Sequence, residues 1–355
     1  MVTAFIILSF IFLLVSVLPA LRITHWSIQV LDYIRVQLLS VQIIVFISSF
    51  FINNNNEASI CFSQIILLLS IIYQLYIILP YLPVSSIFKS KKIFNKNNRE
   101  KAITIVSSNV LQKNKDYSKL IELVKTINPD ILLTTETNNA WENALKAIEN
   151  GFSYNYKIAL ENRYGMHLYT KLKAVKIKEH FLLSDQIPSL EAHLINDNGS
   201  RFVFWGVHPP PPSPTEKPTS KQNDAELAKL AKMITATGYP SIVVGDFNDV
   251  SWSRSVKLFA EISKLKDIRL GRGVFGTFPV KPAIFRFPLD LIFYSNGFRV
   301  VKFKRLLPIG SDHLPIFCRM TLLSSKDASS EELDADLKKK ADKIIKEGQQ
   351  AVEEE

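Results

Sequence analysis

Several apolar runs in this 355-residue chain end abruptly on side chains that can do chemistry. Residues 103–106 lead to Asn109, the run beginning at Ile131 leads to Glu136, and residues 202–207 lead straight to His208. Residues 242–244 lead through Gly245 to Asp246 and Asn248, and Gly310 introduces Ser311, Asp312 and His313 ahead of a last apolar run. Carboxylates hold hard cations or take protons, imidazoles exchange protons near neutrality, and amides bind or steer their neighbours. Each group alone is weak. An isolated Asp-Phe-Asn is more often a turn whose side chains bond their own backbone. The set is stronger than its parts, because α/β folds place ligands beyond strand ends, at transitions of this kind. Nothing in the chain resembles a nucleotide-binding P-loop or a serine elbow.

The elements that must position these groups follow from hydrophobic spacing. From residue 101 onward, short apolar runs alternate with helical stretches. Residues 103–106, 131–133, 202–207, 242–244, 290–294 and 316–320 read as strands. Asp116 is placed to cap a helix ending at Ile127, with Leu120, Ile121, Val124 and Ile127 on one face. Residues 223–237 read as a second helix, with Leu227, Leu230, Ala231 and Ile234 inward and Gly238 closing it. Mixed strands and helices over this length predict a layered α/β structure with the strands central.

The polar stretches also occur in a recognisable order. Ser108-Asn109-Val110, Thr135-Glu136-Thr137, Val207-His208-Pro209, Gly245-Asp246-Phe247-Asn248, Pro288-Leu289-Asp290 and Gly310-Ser311-Asp312-His313-Leu314-Pro315 resemble the successive motifs of the endonuclease/exonuclease/phosphatase family. The resemblance spans residues 101–323 and extends to bacterial members with amino-terminal membrane helices. It implies a four-layer α/β sandwich with two central mixed β-sheets, and Mg²⁺-dependent hydrolysis of phosphate esters, with Mn²⁺ as a substitute. Under it, Glu136, Asn109 and Asp312 hold the metal, and Asp246 acts as base or orients water. Asn248 and His313 bind the phosphate, Asp290 orients His313, and His208 aids proton transfer to the leaving group. Arg163, in Arg163-Tyr164-Gly165-Met166, is a candidate phosphate contact. Leu111 departs from the pattern, since some members carry an acidic residue there. A non-catalytic binding or scaffold module on the same fold is the alternative, and it predicts a broken site.

The amino-terminal region differs in kind. Residues 2–21, 36–52 and 60–81 are apolar, carry almost no charge, and approach the ~20 helical residues that cross a bilayer. The expectation is a three-helix transmembrane anchor over residues 1–85, retained rather than cleaved as a signal peptide. A basic linker, 86–100, follows it. Arg22 and Arg35 flank the first connection, residues 53–57 lack positive charge, and Lys89, Lys91, Lys92, Lys96, Arg99 and Lys101 follow the last apolar segment. The positive-inside rule then puts the catalytic domain, 101–323, on the cytoplasmic side of an inner or plasma membrane. The basic run fits anionic lipid headgroups better than nucleic acid, although a phosphate-ester substrate of either kind stays open. Lys171, Lys173, Lys176 and Lys178 alternate as on one strand face, which suits either a nucleic-acid surface or an exposed edge. Residues 324–355 carry six lysines against ten acidic residues and read as a solvated charged tail. The two cysteines, Cys61 and Cys318, read as buried small hydrophobes and support no disulfide framework.

Overall fold

In the computed structural model, which describes residues 2–51, 57–86, 102–323 and 334–354, an apolar helical unit precedes a two-sheet α/β unit. The first sheet contains β1 (Ile103–Asn109), β2 (Ile131–Thr135), β3 (Tyr154–Ile158), β4 (Met166–Thr170), β11 (Phe298–Arg305) and β12 (Ile316–Leu322), in the order β11-β12-β1-β2-β4-β3. The second contains β5 (Lys173–Phe181), β6 (Pro188–Ile195), β7 (Arg201–Val207), β8 (Ser241–Asp246), β9 (Lys266–Asp267) and β10 (Asp290–Tyr294), in the order β5-β6-β7-β8-β10-β9. Each sheet is mixed, with one parallel pair, β1 with β2 and β7 with β8. The expected sandwich is therefore present.

Burial explains why a central strand such as β7 is apolar from Phe202 to Val207. Along β7, Phe202 and Phe204 enter the core between the sheets. Val203, Trp205 and Val207 enter the core under α7 (Lys221–Ala236), α8 (Arg254–Ser263) and α9 (Ala335–Glu353). A period of two with both faces covered leaves no polar position. On the opposite side, α5 (Tyr117–Ile127) and α6 (Asn139–Glu149) cover the first sheet through Leu120, Val124, Trp141 and Leu145. The lysine-bearing strand β5 is an edge of the second sheet, separated from β8 by β6 and β7.

The structure corrects several readings. The acidic tail is not simply solvated: from Ala335 it forms α9, which buries Ala341, Ile344 and Gly348. A Cβ at Gly348 would sit 2.2 Å from the Cβ of Ala225, so glycine there permits close packing on α7. Asp116 makes no cap bond; its carboxylate pairs with Lys119 at 2.5 Å instead. Cys61 is exposed, whereas Cys318 is buried as expected.

The helical unit comprises α1 (Val2–Val17), α2 (Trp26–Tyr33), α3 (Arg35–Ser49) and α4 (Glu57–Ile78). Two segments, Val2–Ala20 and Glu57–Tyr81, are long and apolar enough to cross a membrane. The expected third span is a shorter α3 that meets α2 at 67°, and it counts only if the bent pair is one broken span. Beside an apolar core that includes Phe5, Phe12, Leu39 and Leu67, this unit buries a polar cluster. The Ser16 and Ser70 hydroxyls lie 2.8 Å apart, and the Gln42 amide donates to both at 2.9 Å. Arg35, read above as a loop charge, is buried: it meets Asp32 at 2.5 Å and donates to Gln74 Oε1 at 2.7 Å. Neutralised in this way, it contributes no free positive charge to the orientation argument. The linker lysines and residues 53–56, the other parts of that argument, lie outside the described residues.

One buried acid sets a pH dependence for the whole fold. Glu226 on α7 is 3% exposed, and burial pushes its carboxyl up from 4.5 to about 8. The folded chain therefore holds a proton that the unfolded chain releases between these values, so stability falls as pH rises through that window. Glu226→Gln removes the term. The variant is expected to lose less stability than the parent between pH 5 and pH 9, with a slope difference of at most ~1.4 kcal/mol per pH unit. Thermal midpoints across that range check this; parallel curves would refute it.

Candidate active site

The site is assembled by strand register. In the first sheet, Asn109 lies beside Thr135 across the parallel β1–β2 pair, so Glu136 emerges next to Asn109. In the second, Val207 lies beside Gly245 on the parallel β7–β8 pair, which sets His208 next to Asp246. A Cβ on Gly245 would fall 1.9 Å from the Val207 carbonyl oxygen, so only glycine lets the strands close at this rung. On the antiparallel side, Asp246 faces Asp290 directly. The segment 310–315 then carries His313 between them. Its backbone N–H donates to Ser311 Oγ at 3.0 Å, and the Leu314 N–H donates to the Thr277 carbonyl at 3.0 Å.

The side chains converge. Asn109 Nδ2 donates to Glu136 Oε1 at 2.9 Å and to Asp246 Oδ2 at 3.0 Å, bridging the two sheets. Its Oδ1 accepts from Leu111 N at 3.0 Å. Asn109 thus bridges Glu136 and Asp246 through its amide hydrogens. His313 Nδ1 lies 2.9 Å from Asp290 Oδ2, and His313 Nε2 lies 3.6 Å from Asp246 Oδ2. Burial opposes a charge on this imidazole, but Asp290, Asp246 and Asp312 outweigh it and raise its pKa to about 10. His313 is therefore a cation at neutral pH. His208 Nε2 stands 3.9 Å from Asp246 Oδ2, and its buried Nδ1 has no partner among the described residues.

Loops after the strands are fastened to one another. Asn248 N donates to Asp246 Oδ1 at 2.9 Å, and Asn248 Nδ2 donates to the Pro209 carbonyl at 2.9 Å. Asn223, buried on α7, donates to the carbonyls of Pro210 at 3.1 Å and Phe247 at 3.0 Å. Glu136 and Asn248 both adopt positive φ, at 60° and 50°. Backbone held in this region marks positions that the surroundings over-determine, and such positions cluster at functional sites. Arg163 is exposed and paired with Glu216 at 3.1 Å, at the edge of the same cleft. It does not reach the central group.

The cleft, of about 450 Å³, is lined by Glu136, His208, Asp246, Asn248, Asp312 and His313, among others. The carboxylates of Glu136, Asp246 and Asp312 line it with Asp290 beneath, and Asp312 is pushed above its ordinary pKa by burial and by Glu136 and Asp246. A divalent cation suits this excess of negative charge. Asp246, Asp290 and His313 bring ligand atoms within 4.8 Å of one another. His313 Nδ1 already bonds Asp290, however, so this trio reads as a hydrogen-bonded relay. Glu136, whose oxygens accept from Asn109 Nδ2 at 2.9 Å and from the Gln112 N–H at 3.1 Å, and Asp312 also turn carboxylate oxygens to the cleft.

The profile of the Endonuclease/Exonuclease/phosphatase family matches residues 106–313, more than half of the chain. The chain belongs to that family. No curated protein matches the sequence. Among solved structures it is similar to the human Nocturnin catalytic domain with bound sulfate, at TM-score 0.51 and 18% identity, covering 62% of this chain and 94% of that one. A family protein from Bacteroides thetaiotaomicron matches at TM-score 0.50 and 21% identity, covering 63% and 99%. ANGEL2, a 2′,3′-cyclic phosphatase in complex with adenosine-2′,3′-vanadate, matches at TM-score 0.51 and 12% identity, covering 65% and 100%. At these identities the likeness speaks for the endonuclease/exonuclease/phosphatase fold alone.

Sequence reasoning missed three contributors. Asn223 is one. A second is α2, whose Trp26, Val30 and Tyr33 line the cleft although they precede the family region by some seventy residues or more. The third is Arg269, fully buried, whose Nη2 donates to the Asp290 carbonyl and whose Nη1 stands 3.8 Å from Asp267. It holds the residue that orients His313. Arg269→Met leaves Asp267 as an unpaired buried acid and is expected to cost ~3–5 kcal/mol. Adding Asp267→Asn should recover part of that loss in denaturant titrations. An additive double variant would show that the two groups are not coupled.

Proposed function

We propose that this chain is a membrane-anchored hydrolase of phosphate esters that works with a divalent metal, Mg²⁺ in the first instance and Mn²⁺ as a substitute. The observation that carries the reading is the convergence of Asn109, Glu136, His208, Asp246, Asp290 and His313, from both sheets, on one cleft. A binding module has no need of an intact Asp290–His313–Asp246 relay, and this completeness speaks against the scaffold alternative.

Glu136 and Asp312 would hold the metal, which supplies a Lewis acid for the phosphoryl oxygens. The protein groups do the remaining work. Asp246, steadied by Asn109, orients the attacking water and takes its proton. His313, kept protonated by Asp290, faces the developing negative charge. His208, beside Asp246, lies in place to pass a proton to the leaving oxygen. Water adds to phosphorus, the P–O bond to the leaving group breaks, and that oxygen departs as an alcohol. Asn248 has one amide hydrogen engaged with Pro209 and a second free for the phosphate.

Anchoring is supported by the helical unit, which is apolar outside and buries a polar cluster beside its apolar core. Ile7, Leu14, Ile44, Ile47, Ile65 and Ile72 are each about half exposed or more, while Ser16, Gln42, Ser70 and Gln74 are fully buried. A bundle in lipid has this arrangement, with small and polar residues as interhelical contacts. We assign residues 1–85 to the anchor, 86–100 to a lipid-facing basic linker and 101–323 to the catalytic domain. With Arg35 neutralised, Arg22, a second connection without positive charge and the linker charge support a cytoplasmic-facing domain. Residues 324–355, expected as a tail, continue the catalytic domain from Ala335.

The test uses the full chain in detergent, because α2 lines the cleft. Phosphate-ester turnover should vanish on chelation and return with Mg²⁺. Asp246→Ala and His313→Ala should each lower it by about 10² or more. Turnover indifferent to chelation and to both substitutions would instead support the binding module.

A further inference from the structure

The cleft is polarised from end to end, and its apolar end is built by the helical unit. Trp26, Val30 and Tyr33 of α2 line it together with Phe278, Phe287 and Leu289, and the Tyr33 and Phe287 rings lie 5.2 Å apart. Beyond Glu136 and Asp312 the cleft continues into a polar annex bearing Lys113 and Lys115. The catalytic groups sit between the two ends.

Helix α2 lies where the chain passes from the first apolar helix to the second, and its bend of 67° from α3 turns it across the bundle axis. It is locked to the catalytic rim. The Tyr33 hydroxyl donates to the Asn248 carbonyl at 2.7 Å, and the Trp26 N–H donates to the Pro218 carbonyl at 3.0 Å. Opposite it, the loop around residues 283–286 is held by Gln37 on α3, whose side chain donates to the carbonyls of Ile284 at 3.1 Å and Arg286 at 3.2 Å. Ile284 and Phe285 at the tip of that loop are 73% and 54% exposed, and Val30 is 38% exposed. Large apolar side chains in water are costly, whereas at a bilayer surface they are in their preferred phase. A mouth bearing such side chains suits the level at which the helical unit would meet lipid headgroups.

We infer that the substrate is a phosphate ester carried by a membrane lipid, which enters along α2 with its acyl side on Val30 and Trp26 and its headgroup toward Lys113 and Lys115. This rests on the phosphoesterase reading above and narrows its substrate. A soluble nucleic acid would need a basic, aromatic-bearing track; the basic strand β5 is instead a sheet edge two strands removed from β8.

The experiment reconstitutes the full chain in phosphatidylcholine vesicles with Mg²⁺. Phosphatidic acid and phosphatidylglycerol are each supplied in dioleoyl form, within the bilayer, and in water-soluble dibutyryl form. Bis(p-nitrophenyl) phosphate and single-stranded DNA serve as soluble controls. At least one dioleoyl lipid is expected to turn over about tenfold or more faster than its dibutyryl counterpart. Val30→Glu, at a half-exposed position, should lower that ratio by about tenfold, and Phe285→Ser should lower it several-fold by removing an apolar contact with the bilayer. Equal rates for long and short chains, or a ratio untouched in both variants, overturns the inference. Turnover of the soluble controls without either lipid overturns it too, and leaves the phosphoesterase reading standing. If no ester is hydrolysed, both readings fall.

Discussion

Asp246 and Asp290 face each other across one rung of the β8–β10 ladder, both 1% exposed, with Glu136 and Asp312 opening onto the same cleft. Buried like charges at such separations repel strongly, and the rest of the site can be understood as the means of holding them there. His313 is inserted between the two aspartates and made cationic by them. Asn109 gives its amide hydrogens to Asp246 and to Glu136 on the other sheet. Arg269 approaches from below, at the Asp290 carbonyl. Glu136 and Asp312 still turn carboxylate oxygens to the cleft, and a cation with a phosphate group can complete the charge balance there. A polar network of this kind tolerates little change, because a lost partner strands a charge in low dielectric.

How much of this was legible in the sequence depends on whether a residue's role is local. Asn109, Glu136, His208, Asp246 and His313 stood out because strands buried on both faces must be apolar until the residue that leaves the sheet. The alternation of β7 between two cores shows that rule at work. Roles fixed by distant contacts were not legible. Arg269 is one of several cations near the short strand β9, and only the fold reveals the carbonyl it meets. Arg35 looked like a loop charge because nothing local announces Asp32 and Gln74 as its partners. Asp116 satisfied the composition of a cap, but its carboxylate prefers Lys119. The tail was misjudged because a stripe of Leu337, Ala341, Ile344 and Gly348 is sparse by itself and becomes sufficient only against the groove that α7 offers.

The loop that follows β8 joins the site to the helical unit. Asp246 and Asn248 project from its start into the cleft, while its later residues face the other way. The Asn248 carbonyl accepts from Tyr33, the Ser251 carbonyl accepts from Tyr81 at 2.7 Å, and Trp252 Nε1 donates to the Asp32 carbonyl at 2.7 Å. Around these bonds, Ile77, Ile78, Tyr81, Val250, Trp252 and Leu289 form one buried apolar cluster that spans both units. Several such side chains, each worth about 1.5–3 kcal/mol when buried, make a firm joint rather than a tether. Separating the units at the linker would expose this cluster and remove one wall of the cleft in the same act. The helical unit therefore does more than precede the catalytic domain. It supplies the surface on which a substrate's apolar part would lie, and through Tyr33 it fixes the backbone of the residue that would hold the phosphate.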